Sequence, residues 1–314
     1  MHTNHSTVSH PHYPDQPALA VIEVQDFIKM DLPYREMILS PWLPAQGLAM
    51  IYAPRGIGKT HVALGIAYAV TSNTAFLGWQ PTRARNVLYL DGEMPAALMQ
   101  ERLSALVDSN KAPLTASFKL ITPDLQSGSM PDLATPKGQV ILETYLAGVE
   151  LIIVDNISTL CRNTRENEAD SWLPVQEWAL RMRASGKSVL FIHHAGKGGN
   201  QRGTSKREDI LDTVISLKRP DDYKPRDGAV FQVHFEKARG FLGKETESFE
   251  AKFSTRTDGL QEWIMTSLQH TSYDQAIHLA NQGLDQTKIA EQLNIHKSNV
   301  SRHLKRAHQE GKIG

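Results

Sequence analysis

The sequence predicts an α/β fold, a mainly parallel sheet covered by helices, followed by a small all-α unit. Three observations predict it. From Leu19 to about Ile264, short apolar runs alternate with helix-like segments. One junction between an apolar run and a helix, Ala53-Pro54-Arg55-Gly56-Ile57-Gly58-Lys59-Thr60, follows the G-x-x-x-x-G-K-[ST] pattern of a phosphate-binding loop, with Ala53 in place of the first glycine. Beyond a break around Met265 to Ser272, the composition turns helix-rich, polar and basic.

Met1 to Pro17 is rich in His, Pro, Ser and Thr and cannot bury a core, so residues 1–17 are expected to be a disordered lead-in. The α/β domain is expected over residues 18–265. Its candidate strands are Leu48 to Tyr52, Asn86 to Leu90, Phe118 to Ile121, Leu151 to Val154, Ser188 to Ile192, Asp212 to Leu217 and Val230 to Glu236. His61 to Val70 has the small, apolar character of a packed helix. After the break, Asp274 to Ala280, Thr287 to Leu293 and Ser298 to about Gln309 read as three helices. Ile289, Ala290, Leu293, Val300 and Leu304 face inward, and Asn294-Ile295-His296 forms a turn. This pattern resembles a helix-turn-helix domain over residues 273–314.

The charge balance, 34 basic against 34 acidic side chains, gives no global pull toward nucleic acid, so any such binding must come from a local patch. Cys161 is the only cysteine, which excludes an intrachain disulfide. No apolar run approaches the roughly 20 residues of a membrane span, and the N-terminus lacks a signal-peptide pattern. We therefore expect a cytoplasmic protein with no membrane partner.

The residue types in the loop each have a physical task. Backbone N–H groups of such a turn point at phosphates, Lys59 supplies a point charge to the β- and γ-phosphates, and the Thr60 hydroxyl can ligate Mg²⁺. Leu151-Ile152-Ile153-Val154-Asp155 is an apolar strand ending in a carboxylate, placed to hold Mg²⁺ through its water shell. Asn86 to Leu90 leads into Asp91-Gly92-Glu93. A carboxylate there can orient and deprotonate the attacking water, and Glu93 is our choice, with Asp91 its rival and helix capping the bland reading of both. Ser188 to Ile192 leads into His193 and His194, whose side chains must point to opposite faces of a strand, so they are not a zinc pair. The loop behind them is glycine-rich and basic. Lys197 and Arg202 could contact a polyanion there, or lie on a solvated surface loop.

Together, Gly-Ile-Gly-Lys-Thr, the Tyr-Leu-Asp-Gly-Glu strand with Arg102 nine residues on, Ile-Ile-Val-Asp and Phe-Ile-His-His-Ala-Gly-Lys-Gly resemble the RecA-like ATPases of the plasmid RepA type. These are ring-shaped hexameric helicases of plasmid replication, and the similarity spans roughly residues 30 to 255. The resemblance implies a RecA-like P-loop NTPase fold that binds ATP and Mg²⁺ through Lys59 and Thr60. It implies Glu93 as catalytic base, Asp155 as the acid of the second nucleotide motif, His194 as γ-phosphate sensor and Arg102 as a polar partner of the site. It also places an arginine finger where this chain has Asp212, which cannot serve. Glu236-Lys237-Ala238-Arg239-Gly240 looks like the Lys-x-Arg segment by which related DnaB-type rings reach the next subunit's ATP. Lys237 and Arg239 would point to one side of a continuing strand, and Arg207 is a further candidate; a surface charge pair is the alternative for the first two.

The helix-turn-helix resemblance implies that its last helix enters a major groove with Lys297, Ser298, Asn299, Ser301, Arg302 and Lys305 toward bases or phosphates. Protein contact is the alternative use of such a unit. The expected whole is a hexameric ring that hydrolyses ATP between subunits, with single-stranded DNA in its channel and duplex DNA at the helix-turn-helix, acting as a helicase or motor in replication of a mobile element. Two rivals stay open: an ATP-controlled transcription regulator, and an ATPase that loads or remodels protein partners.

Overall fold

A computed structural model describes residues 20–32, 34–162, 172–196, 205–220, 223–268 and 272–313. The chain divides into two units, Met1–Tyr34 and Arg35–Gly314. The described part of the first contains one short helix, α1 (Val24–Phe27), whose Val24 and Phe27 are exposed. The lead-in over residues 1–17 lies outside the described residues.

In the second unit, β1 (Met37–Leu39) and β2 (Leu43–Pro44) form a small antiparallel pair. The large sheet has nine strands: β3 (Leu48–Ala53), β4 (Val87–Asp91), β5 (Phe118–Ile121), β6 (Leu151–Asp155), β7 (Ser188–His194), β8 (Thr213–Lys218), β9 (Val230–Ala238), β10 (Phe249–Thr255) and β11 (Gln261–Ser267). Their spatial order is β11-β10-β9-β8-β3-β7-β6-β4-β5. From β8 to β5 all neighbours are parallel, and β9, β10 and β11 add an antiparallel flank. The inner parallel strands are buried on both faces, unlike the edge strand β5. That is why Leu48 to Ala53, Leu151 to Asp155 and Ser188 to His194 read as nearly unbroken apolar runs.

Helices cover both faces. One apolar core joins α2 (Lys59–Ser72) to the sheet, with α3 (Ala96–Asn110) packed beside it. The other lies beneath α4 (Pro136–Glu143), α5 (Ile157–Leu160) and α6 (Leu173–Ala184). Helix α2 is buried almost all round, so it must be slim. At Gly65 a Cβ would sit 2.2 Å from the Phe76 ring, which leaves no room for any side chain there.

The sequence reading did not anticipate the β10–β11 hairpin. Its strands are largely half-exposed and carry polar residues between apolar ones, so they lack the continuous apolar signal of the inner strands. Because β11 pairs with β10 as far as Ser267, the break expected from Met265 begins later. After it come α7 (Ser272–Asn281), α8 (Gln286–Gln292) and α9 (Lys297–Gln309), which close over a core of their own: Ala276, Leu279, Ile289, Ala290, Val300 and Leu304. Asp285 caps α8 by accepting from Thr287 N and Lys288 N at 2.8 and 3.0 Å, an arrangement worth about 1 kcal/mol. Among the described residues, no helix is long and apolar enough to cross a membrane.

Candidate nucleotide-binding site

Strand β3 ends at Ala53 and α2 begins at Lys59, so the five residues between them turn the chain at the carboxyl edge of the parallel strands. Gly56 and Gly58 have φ of +72° and +112°, values that side chains rarely adopt. Ala53, by contrast, is an ordinary strand residue paired with His194, which explains why the loop tolerates a Cβ at the first position of its pattern. Ile57 is buried beneath the turn, while Arg55 and Gly56 are exposed above it.

The loop opens into a cleft of about 680 Å³, within the range that holds a nucleotide. Lys59, Thr60, Glu93, Arg102, Asp155 and His194 all line it, so one cavity collects the residues the sequence singled out from distant segments. Lys59 Nζ donates to the carbonyls of Ala53 and Pro54 at 3.0 and 2.8 Å. Burial pushes its ammonium down to about 8, against the pull of the Asp155 and Glu93 carboxylates. It remains a cation at neutral pH.

Asp155, at the end of β6, accepts from the Tyr89 hydroxyl at 2.6 Å and from the Thr60 side chain. Burial raises the affinity of its carboxyl for protons, and these two hydrogen bonds oppose that effect. Thr60 and Asp155 thus present hard oxygens side by side next to the lysine, a donor set that suits Mg²⁺ completed by water and phosphate. Among the described residues, no cluster of three or more His, Cys, Asp or Glu offers a rival metal site.

The two acids at the end of β4 separate cleanly. Asp91 is buried and fully engaged: Oδ1 accepts from Glu93 N and Met94 N, each at 3.1 Å, and Oδ2 accepts from Thr122 Oγ1 at 2.8 Å. Glu93 instead projects into the cleft, with Oε1 3.5 Å from His194 Nε2. Hydrogen bonds from His194 and then Asn156 hold its carboxyl down at about 2, so it is an ionised acceptor at any physiological pH. Asp91 therefore holds the turn that leads into α3, whose first amide, Ala96 N, donates to Asp124 at 2.8 Å.

Other groups in and around the cleft carried little signal in the sequence. Asn156 reaches Glu93, Tyr89 orients Asp155, and His61 stacks on Phe253 with ring centres 5.0 Å apart. Burial and the nearby Arg102 push His61 down to about 4, so its imidazole is neutral. Met94, Pro95 and Leu98 give the cleft an apolar wall beside Arg102. Only Asn156 had a local clue, its position directly after Asp155.

Lys237 and Arg239 do not enter this cleft. Lys237 Nζ donates to the Glu208 and Asp209 carbonyls, and Arg239 Nη2 donates to the Asp209 carbonyl at 3.2 Å, so the two point to the same side. Because β9 runs antiparallel to β8, its carboxyl end pairs with the start of β8, toward the edge of the sheet away from the phosphate loop. Arg207 corrects the sequence reading. It is only 1% exposed and lies against His193 and Trp172, so it cannot extend to another subunit. Asp212 is a structural anchor: it accepts from Leu48 N at 2.9 Å and pairs with Arg183 at 2.6 Å and Arg35 at 3.2 Å.

Lys197 and Arg202 lie outside the described residues. On α9, Lys297, Ser298, Ser301, Arg302 and Lys305 are exposed. Asn299 is a second correction, because it is 7% exposed and its Oδ1 accepts from Arg302 Nη2 at 2.6 Å. Its place on the helix, next to Val300, turns it toward the core.

A family profile described as an AAA domain matches residues 14–200. In three dimensions the chain is similar to a KaiC-like protein from the hyperthermophilic archaeon Pyrococcus horikoshii OT3. The TM-score is 0.46 at 14% identity, over 71% of this chain and 90% of that one.

Proposed function

This chain belongs to the AAA domain family, a family of P-loop ATPases, and from that premise we propose that it is a ring-forming, RepA-type ATPase that acts on DNA as a helicase or motor. One observation carries the reading. The nucleotide cleft holds the phosphate loop, the ionised Glu93 and its His194 partner, while Lys237 and Arg239 face away from it. A site so divided is completed by a neighbouring copy.

In this reading Lys59 and the loop N–H groups hold the β- and γ-phosphates of ATP, and Thr60 with Asp155 holds Mg²⁺, which supplies charge neutralisation when bound. Glu93 accepts the proton of the attacking water; its low proton affinity means that its main task is to orient the water in line with the γ-phosphate. His194 exchanges its contact with Glu93 for one with the γ-phosphate, so the base is engaged differently before and after hydrolysis. Arg102 faces the nucleotide from α3. Lys237 and Arg239 of the adjacent subunit neutralise charge that develops in the transition state. The exposed basic residues of α9 support duplex DNA binding by the C-terminal helices, arranged as a helix-turn-helix.

The reading is tested by measuring ATP turnover with and without single-stranded DNA, together with unwinding of a tailed duplex. DNA-stimulated turnover with strand separation supports it. Tight binding to one palindrome without unwinding would favour the transcription regulator. Turnover that responds only to a protein partner would favour the loader.

A further inference from the structure

Arg207 is among the largest fully buried side chains of the molecule. Its Nη1 lies 3.0 Å from His193 Nε2, and its guanidinium sits 5.3 Å from the centre of the Trp172 ring. Burying a guanidinium carries a heavy desolvation penalty, so its partners decide what it does. On one side it meets β7. There the alternation of the strand sends His194 to Glu93 in the cleft and His193 the opposite way, to Arg207. Neighbouring residues of one strand therefore report to the nucleotide and to Arg207.

The other side of Arg207 is the short turn that carries it, Ser205–Glu208. The carbonyls that follow, of Glu208 and Asp209, accept from Lys237 Nζ and Arg239 Nη2. Arg239 is fixed again through its backbone N–H, which donates to the Asp212 carbonyl at 3.0 Å. An unbroken chain of contacts thus runs from Glu93 through His194, the backbone of β7, His193 and Arg207 to the Lys237–Arg239 pair.

We propose that Arg207 is a positioning residue that couples the two contributions each subunit makes to catalysis: its own ATP cleft and, in trans, the Lys237–Arg239 pair that serves its neighbour. This rests on the reading of that pair as acting in trans. The two cations are held on the Glu208 and Asp209 carbonyls and must leave them to reach a phosphate. When His194 turns from Glu93 to a γ-phosphate, the end of β7 moves, and the His193–Arg207 bond carries that movement into the turn. The planar guanidinium, packed against the Trp172 ring, shifts as a body rather than yielding gradually, because a close-packed interior is stiff. ATP in one cleft thereby sets the reach of the cations offered to the next.

The test uses the full-length protein with Arg207→Met, which keeps length and removes the charge, and Arg207→Lys, which keeps charge but not the planar fork. Turnover, KM and binding of a non-hydrolysable ATP analogue are measured, and active oligomers are doped with increasing fractions of Glu93→Gln subunits carrying the same residue at 207. In the wild-type background, doping should reduce turnover more steeply than in proportion to the doped fraction. Arg207→Met should lower kcat about tenfold or more, leave KM and analogue affinity within about twofold, and make the doping curve proportional. Arg207→Lys should fall between. A steep doping curve and near-normal kcat in Arg207→Met would overturn the proposal, as would a proportional curve in the wild type. Wild-type turnover that survives Lys59→Ala would instead overturn the reading of the cleft on which the proposal rests. If Arg207→Met fails to assemble, His193→Leu removes the acceptor alone and should give the same split between kcat and KM.

Discussion

The nucleotide cleft draws its side chains from α2, β4, α3, β6 and β7, whereas the C-terminal helices present their basic side chains from α9 alone. The difference governs how each region answers to change. In the cleft, Tyr89, Asn156 and His194 hold the two carboxylates that matter, so one substitution alters several contacts. On α9, exposed side chains stand on a helix whose own core lies beneath them, so most removals stay local; Arg302, which bonds the buried Asn299, is an exception.

The largest expected effect lies in the cleft. Lys59→Ala should abolish ATP binding measured by calorimetry, because neither the backbone cradle nor Mg²⁺ replaces its charge on the β- and γ-phosphates. Affinity retained within about threefold would show that the loop is not the phosphate site. Glu93→Gln should keep ATP binding and slow hydrolysis by about a hundredfold, since the amide keeps shape and loses the charge that orients water. Asp91→Asn should act mainly on folding stability, through the turn it caps. The opposite assignment of the two phenotypes would show that the engaged carboxylate, not the projecting one, is the base.

A smaller effect is written in Lys59 itself. Its ammonium, pushed down to about 8 by burial, is charged below that pH and neutral above it. ATP affinity should therefore fall as pH rises through about 8 to 9.5, and binding in that window should take up a proton, which buffers of different ionisation enthalpy would reveal. A flat affinity across the window would mean that the lysine is not the phosphate's partner.

These expectations also mark what the sequence could and could not convey. The loop, the aliphatic strand before Asp155 and the three C-terminal helices were legible because their signals are local: a fixed spacing, an apolar run, a helical period. Cross-strand facts were not. That Asp91 bonds Thr122 and Tyr89 bonds Asp155 depends on the register of β4 with β5 and β6, which no single segment encodes. Arg207 was misplaced because an arginine reads as a surface charge, and nothing near it announces the ring and imidazole that receive it. Asn299 was misplaced by a fraction of a helical turn, since its neighbours on either side, Ser298 and Val300, face solvent and core respectively.

The smallest effect on turnover is expected at the other end of the molecule. Deleting residues 270–314 should leave basal ATPase within about twofold and weaken duplex DNA binding, with a salt dependence that lessens as Lys297, Arg302 and Lys305 are lost. Equal duplex affinities and salt slopes with and without the helices would assign them to protein contact, and a collapse of ATPase would mean that the two regions are not separable.

Turnover of mixed oligomers tests most directly whether the site is shared between subunits. Lys59→Ala subunits carry intact cations at 237 and 239 but no working cleft; Lys237→Ala/Arg239→Ala subunits carry the reverse. Each alone should be nearly inactive, while mixing them before assembly should restore turnover, because some interfaces then join an intact cleft to an intact pair of cations. Mixtures that co-assemble yet remain as inactive as their parents would contradict the account.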